Sequence, residues 1–137
     1  MTTAIVFYSF SGKTKACAQK MAQERTADVF QVEEAKKRNG FTAFLPGCPQ
    51  AMGQKSTALK GEPLQLDSYD TIIIAAPIWA GYPAPAFNSI VKMLPTNKNI
   101  ELVFTSGNGN NYGQKPKIKT LVETSGSKVT KITDIKT

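Results

Sequence analysis

Histidine is absent from this chain of 137 residues, and that absence removes Ser-His-Asp triads, Cys-His pairs and histidine metal sites together. Chemistry carried by such a chain falls to a bound cofactor. Cysteine is nearly absent. Cys17 and Cys48 are too few for a disulfide framework, and their spacing matches no metal or redox motif. Cys17 falls in a helical pattern and reads as a small buried hydrophobe, whereas Cys48 reads as an unreactive loop thiol. No apolar run reaches the roughly 18 residues that span a bilayer, and the longest, in "TIIIAAPIWA", suits a buried strand. No charged-then-apolar leader precedes the first strand pattern, so the expectation is a cytoplasmic protein. Acid is the minority charge: 17 basic against 10 acidic residues give +7. The basic residues are spread along the chain, with concentrations at 36–38 and in the C-terminal segment. The plain reading is a solvated basic face that favours anionic partners by steering. No nucleic-acid recognition motif and no membrane segment accompanies it.

What is present is an alternation of strands and helices. Residues 3–9 form an apolar, strand-forming run ending in Ser and Gly, and a helix follows from Thr14 with Ala18, Met21 and Ala22 on one stripe. Residues 27–33 alternate as a second strand. The segment 34–68 has loop-like composition, with at most one short helix near 49–60. Residues 69–77 are continuous and β-branched, so they predict a central strand buried on both faces and stopped by Pro77. After an exposed loop, Phe87, Ile90, Val91 and Leu94 stand at i, i+3, i+4 and i+7 between Pro85 and Pro95, an amphipathic helix. Residues 99–106 predict a fourth strand, 115–126 a helix with Ile118, Leu121 and Val122 as its stripe, and 127–135 a last strand. This order predicts a single domain over 1–137, an open five-stranded parallel α/β sheet with helices on both faces. Ligands of such sheets bind beyond the carboxyl ends of the strands, where loops 9–14, 77–85 and 106–113 fall.

The first loop, Ser9-Phe10-Ser11-Gly12-Lys13-Thr14, ends like an ATP-binding loop. A true P-loop needs a glycine five residues before Gly12, and that position is Phe7. Three hydroxyls and a helix start instead suit a single phosphate. The second loop carries the sole tryptophan, Trp79, just past a central strand, where an indole offers a stacking surface. The third, "SGNGNNYG", has Gly107, Gly109 and Gly113 at a spacing that misses the dinucleotide fingerprint by one residue, and Tyr112 suits a ring contact. A receiver-type phospho-acceptor domain shares the predicted topology but needs acids where Ser9, Ser11 and Pro77 stand.

Taken in order, "YSFSGKT", "YDTIIIAAPIWAGYPAPAF" and "TSGNGNNYG" resemble the phosphate loop, the third strand with the second flavin loop, and the third flavin loop of the flavodoxin-like family, in particular its short-chain FMN-binding proteins. The resemblance covers nearly the whole chain and implies strand order 2-1-3-4-5 and noncovalent FMN. It implies that Ser9, Ser11 and Thr14, with backbone from Phe10 through Gly12 and Lys13, hold the phosphate. From the second loop (Pro77, Ile78, Trp79, Ala80 and Gly81), Trp79 would stack on or flank the flavin ring. From the third (Ser106, Gly107, Asn108, Gly109, Tyr112 and Gly113), Tyr112 would cover its other side. Backbone near Ala80, Gly81, Asn108 and Gly109 would meet the ring's polar edge. It implies electron transfer to redox partner proteins, with an NAD(P)H-dependent quinone or flavin reductase, or a non-redox phosphate-binding module, as alternatives. Three departures stand out. Flavodoxins are usually acidic, so +7 points to acidic partners; Lys13 replaces a neutral residue; and the usual closing helix is missing after the last strand. One sheet face is therefore expected to be covered by 34–68 or by a second subunit in a homodimer.

Overall fold

The computed structural model describes residues 2–36, 53–54, 56–79, 81–107 and 115–137. In chain order the elements are β1 (Thr3–Phe7), α1 (Lys13–Arg25), β2 (Asp28–Gln31), β3 (Thr71–Trp79), β4 (Tyr82–Pro83), α2 (Pro85–Lys92), β5 (Asn99–Ser106), α3 (Lys115–Glu123) and β6 (Lys128–Lys136). The long strands lie in the order β2-β1-β3-β5-β6, every pairing parallel. Counting only these five, the order is the expected 2-1-3-4-5. The short β4 is extra and pairs antiparallel with β3.

Alternation along the strands sorts the core onto two faces. Ile5, Phe7, Ile73, Ala75 and Val103 pack with Ala18 of α1 on one face. On the other, residues such as Val6, Ile74 and Leu102 pack with Phe87, Ile90 and Val91 of α2 and with Ile118 and Val122 of α3. Helix α2 has only eight residues, too few to hold itself in water. Its stripe, fully or nearly fully buried, is what keeps it; Phe87 alone contributes about 3–5 kcal/mol on the scale of Phe→Ala losses.

Four expectations need correction. Pro77 does not stop β3, which runs on to Trp79. The Ala75 carbonyl accepts from Tyr8 on the β1 side, so by alternation Pro77 faces that side too, beyond the end of β1 at Phe7. Its missing N–H therefore has no strand to serve. The same edge is used instead by the Pro77 carbonyl, which accepts the Ala84 N–H at 3.0 Å as the chain folds back. That fold-back is the second correction, since residues read as an exposed loop form a two-residue hairpin with Trp79 opposite Tyr82, and Pro83 and Ala84 are buried.

Third, the part of 49–60 that is described holds no helix: Leu59 bridges Glu34 antiparallel, with Ala35 N–H to the Ala58 carbonyl and Lys60 N–H to the Glu33 carbonyl, each at 2.8 Å. The rest of that interval lies outside the described residues, as does Cys48. Fourth, the described part of 34–68 does not cover the α1 face, because Leu59, Leu64 and Leu66 pack on the α2–α3 face. The α1 face manages differently. Arg25 of α1 reaches Glu101 of β5 through two bonds of 2.7 and 2.9 Å, and β6 turns Lys131, Thr133 and Ile135 to that side, opposite Glu101, Val103 and Thr105. A bulge, with the register passing from Ile100↔Val129 to Glu101↔Lys131, makes Thr130 the extra residue and lets Val129 and Ile132 share the opposite face.

Candidate functional site

All long strands run the same way, so their carboxyl ends share one end of the sheet, and there the first two loops lie side by side. Beyond β1 the chain turns sharply through Gly12, whose φ of 95° is a left-handed conformation that suits glycine. The Ser9 hydroxyl fixes the turn by accepting the Gly12 N–H at 3.0 Å. Gly12 is also the N-cap of α1; no side chain caps the helix and no acid sits in its first turn. The free N–H groups and positive end of the helix therefore face outward without competition. A Cβ placed on Gly12 would meet nothing within 4 Å, so the space before the loop is open. Ser11 and Lys13 are exposed beside it.

Thr14 goes the other way. It is buried, and its hydroxyl lies 2.8 Å from that of Thr105 on β5. One hydrogen closes this pair, so with Thr105 as donor Thr14 keeps its own hydrogen for a further acceptor. Thr105 is not among the site residues expected from the sequence, although it is the first residue of the stretch "TSGNGNNYG" that resembles the third flavin loop.

Trp79 ends β3 half-buried, and two rings fix its tilt: Tyr8 at 6.1 Å between centroids and 79° between planes, and Phe10 at 5.8 Å and 90°. Phe10 is 39% exposed, so the first loop lends a ring as well as backbone to the second. Gly81 has a φ of 85°, the left-handed value that the hairpin turn requires. Pro77 and Ile78 lie in β3 opposite Thr105 and Pro83 respectively. Lys117 of α3 crosses to the hairpin, its Nζ 3.3 Å from the Tyr82 hydroxyl and 6.0 Å from the ring centre.

Ser106 closes β5, its carbonyl accepting the Thr137 N–H at 2.9 Å, and Gly107 follows with open space around it. Ala80, Asn108, Gly109, Tyr112 and Gly113 lie outside the described residues. The structure thus brings together Ser9 through Thr14 with Pro77, Ile78, Trp79 and Gly81, and places Ser106 and Gly107 at the end of the adjoining strand.

Sequence reasoning also missed Glu34. It is buried, and its Oε1 accepts the Tyr8 hydroxyl at 2.7 Å. The pair lines a cavity of about 580 Å³ that opens beside Ser9 and Phe10 and is bounded further out by Leu59 and Lys60. Another cavity, about 310 Å³, lies between α2 and residues 56–64 and touches none of the three loops. Cys17 is half-buried on α1, and burial pushes its thiol up from the ordinary value, as befits an inert packing residue.

This geometry defines the class of fold. The solved structures it matches are flavodoxin-like flavoproteins, and the fold is theirs. A flavoprotein from Lactobacillus acidophilus, solved in complex with FMN, superposes with a TM-score of 0.80 at 23% identity, covering 96% of this chain and 91% of that one. Its apo form, solved by NMR, gives 0.74 at 22%, over 98% and 92%. A flavodoxin from the domain Archaea gives 0.58 at 17%, over 98% and 85%. No protein-family model matches the sequence, and no curated protein does.

Proposed function

We propose that the protein binds FMN noncovalently at the carboxyl end of its sheet and acts in electron transfer. The observation that carries this reading is the uncapped start of α1 behind a left-handed Gly12, open in front and free of acid in its first turn. Such a turn suits a terminal phosphate dianion. The FMN-bound flavoprotein of Lactobacillus acidophilus, alike in fold over 96% of this chain, supports the same assignment.

In this reading the Ser11 hydroxyl and the N–H groups at the start of α1 bind the phosphate. Ser9 holds the turn that aims them, and Lys13 adds a positive charge. Trp79 supplies a flat surface whose tilt Tyr8 and Phe10 set, and the backbone of Gly81 serves the ring edge. Bound FMN supplies one- and two-electron redox chemistry that no side chain here offers. The three aromatic rings exclude water from their side of the site.

The test is the visible absorption of protein purified with FMN, followed by parallel titrations with FMN and riboflavin. Two charge-assisted hydrogen bonds at about 1.5–3 kcal/mol each imply an FMN preference of roughly 10² or more. Colourless protein, or equal affinity for both flavins, would overturn the assignment. Oxidation of NAD(P)H by the purified flavoprotein with a quinone would favour the reductase alternative over the carrier.

A further inference from the structure

The charges of the described residues are not spread evenly along the strand axis. Helices in a parallel α/β sheet run against the strands, so their first turns gather with the strand carboxyl ends. At that end Lys13 and Lys15 stand in the first turn of α1, Lys36 in the segment beyond β2 that follows the bridged Glu34, Lys117 in the first turn of α3 and Lys136 at the close of β6. All five are exposed, and none makes an ion pair among the described residues. The acids there are neutralised or buried: Glu33 lies 3.9 Å from Lys60, Asp134 lies 3.0 Å from Lys115, and Glu34 is buried against Tyr8. Glu62 sits lower, on the cavity shared with Ser56 and Lys92.

The opposite end carries no positive excess among its named residues. Glu24, Asp28, Asp67, Asp70 and Glu123 face Lys92, Lys98, Lys128 and Lys131, while Arg25 and Glu101 cancel each other. Among the described residues named, the excess positive charge therefore lies at the end that carries the loops.

Its arrangement is informative. Lys136 closes the edge strand β6, Lys36 follows the segment that leaves the other edge strand β2, and Lys15 and Lys117 stand on helices that pack on opposite faces. Together they stand around the strand ends that carry the first and second loops, and Lys117 contacts the second through Tyr82. The starts of α1 and α3 add their positive dipole ends in the same direction.

We propose that this lysine rim is the docking surface for an acidic electron-transfer protein, steered onto the loop end of the sheet. The inference rests on the FMN reading for its purpose but not for its test. Lysines are hydrated point charges on flexible stems, which suits fast, salt-sensitive and short-lived encounter better than a tightly packed interface. Small interfaces of that kind are typical of redox partners. Polynucleotide binding is the weaker alternative, since the rim carries no recognition element.

The experiment measures binding by calorimetry, with and without FMN, to a plant-type ferredoxin as an acidic probe and to cytochrome c as a basic one. Expected are binding to ferredoxin but not to cytochrome c, and a loss of more than about tenfold in affinity as salt rises from about 20 mM to about 300 mM. Lys15→Glu with Lys36→Glu and Lys136→Glu should weaken ferredoxin binding at least about tenfold. Lys92→Glu with Lys128→Glu and Lys131→Glu, the same charge change at the other end, should alter it less than about twofold. Circular dichroism confirms the fold of both variants. Equal losses in the two triple variants would mean that net charge, not the rim, attracts the probe, and would overturn the proposal. So would absence of ferredoxin binding, or tighter binding to single-stranded RNA or to phosphatidylserine vesicles. Flavin absorbance is read separately, so a colourless protein that still binds ferredoxin through the rim would sink the FMN reading and leave this one standing.

Discussion

The hydroxyls of Thr14 and Thr105, 91 residues apart in the chain, meet at 2.8 Å in the interior. Replacing one by valine leaves a buried hydroxyl without its partner, and such a group costs about 1–3 kcal/mol. Thr105→Val should therefore lower stability by about that amount in urea denaturation. Thr14→Val combined with Thr105→Val should cost less than the two single losses added, because no orphaned polar group remains. Strict additivity would show that the pair is a near approach rather than a bond.

Gly12 makes a different prediction. There is room for a methyl group, so Gly12→Ala meets no steric clash from neighbours. The left-handed backbone remains, at a cost of about 1–2 kcal/mol for an L-residue. The expected outcome is a drop of that size in stability, measured by urea denaturation, with FMN affinity reduced more than riboflavin affinity. An unchanged midpoint would mean that the turn relaxes out of the left-handed region.

How much of this was legible beforehand depends on the range of the signal. The stripe Phe87, Ile90, Val91 and Leu94 fixed α2 because its period is local and every member is buried. Alternation of elements predicted the open parallel sheet, the resemblance implied its strand order, and hydroxyls and a glycine at a helix start marked the Ser9–Thr14 turn. Pro77 misled because proline in a strand is judged by the neighbour it fails to serve, and that neighbour had already ended. Residues 82–83 form a strand only by virtue of their pairing with Ile78 and Trp79, since two residues carry no period. Thr105 and Glu34 owe their roles to partners 91 and 26 residues away, Thr14 and Tyr8, a distance over which local pattern says nothing.

Trp79 is the only tryptophan, so its emission reports one environment. Phe10 meets it at 90°, an edge contact worth about 0.5–1.5 kcal/mol beyond area. Phe10→Ala should shift the emission to the red in the flavin-free protein. With FMN added, quenching should require several-fold more ligand than in the parent protein. Emission and titration both unchanged would place the Phe10 ring outside the site.

Cys17 should respond weakly to thiol reagents near neutrality. Burial raises its pKa, with Lys20 acting the other way and Glu24 adding to the rise. The protonated thiol is thus the form the fold favours. Its contribution to stability is complete below the unfolded thiol's pKa and fades as pH climbs toward the folded one. In a Cys48→Ser background, reaction with Ellman's reagent should be slower than for a free thiol at the same pH, and urea should erase the difference. A native rate equal to the unfolded rate would contradict this.

The Arg25–Glu101 bridge is partly open to water, with side-chain exposures of 40% and 16%. Exposed ion pairs contribute about 0.2–1 kcal/mol, and the two-point geometry puts this one toward the upper part. Glu101→Gln should cost that much at low salt and less at high salt, as read by chemical denaturation. A loss independent of salt would mean that packing, not charge, is what the substitution removes.

Helix α1 is thus fastened to β5 at both ends, by Thr14 to Thr105 and by Arg25 to Glu101, although β1 and β3 lie between β2 and β5 in the sheet. Mechanically it is a strut laid across the sheet, with its leading tip joined to the residue beside Ser106. Force applied at the Gly12 turn is delivered to the root of the third loop without passing through the sheet's hydrogen bonds. Amide exchange should register the coupling: a phosphate seated at the turn slows exchange at Ser106 and Gly107, and Thr105→Val uncouples the two.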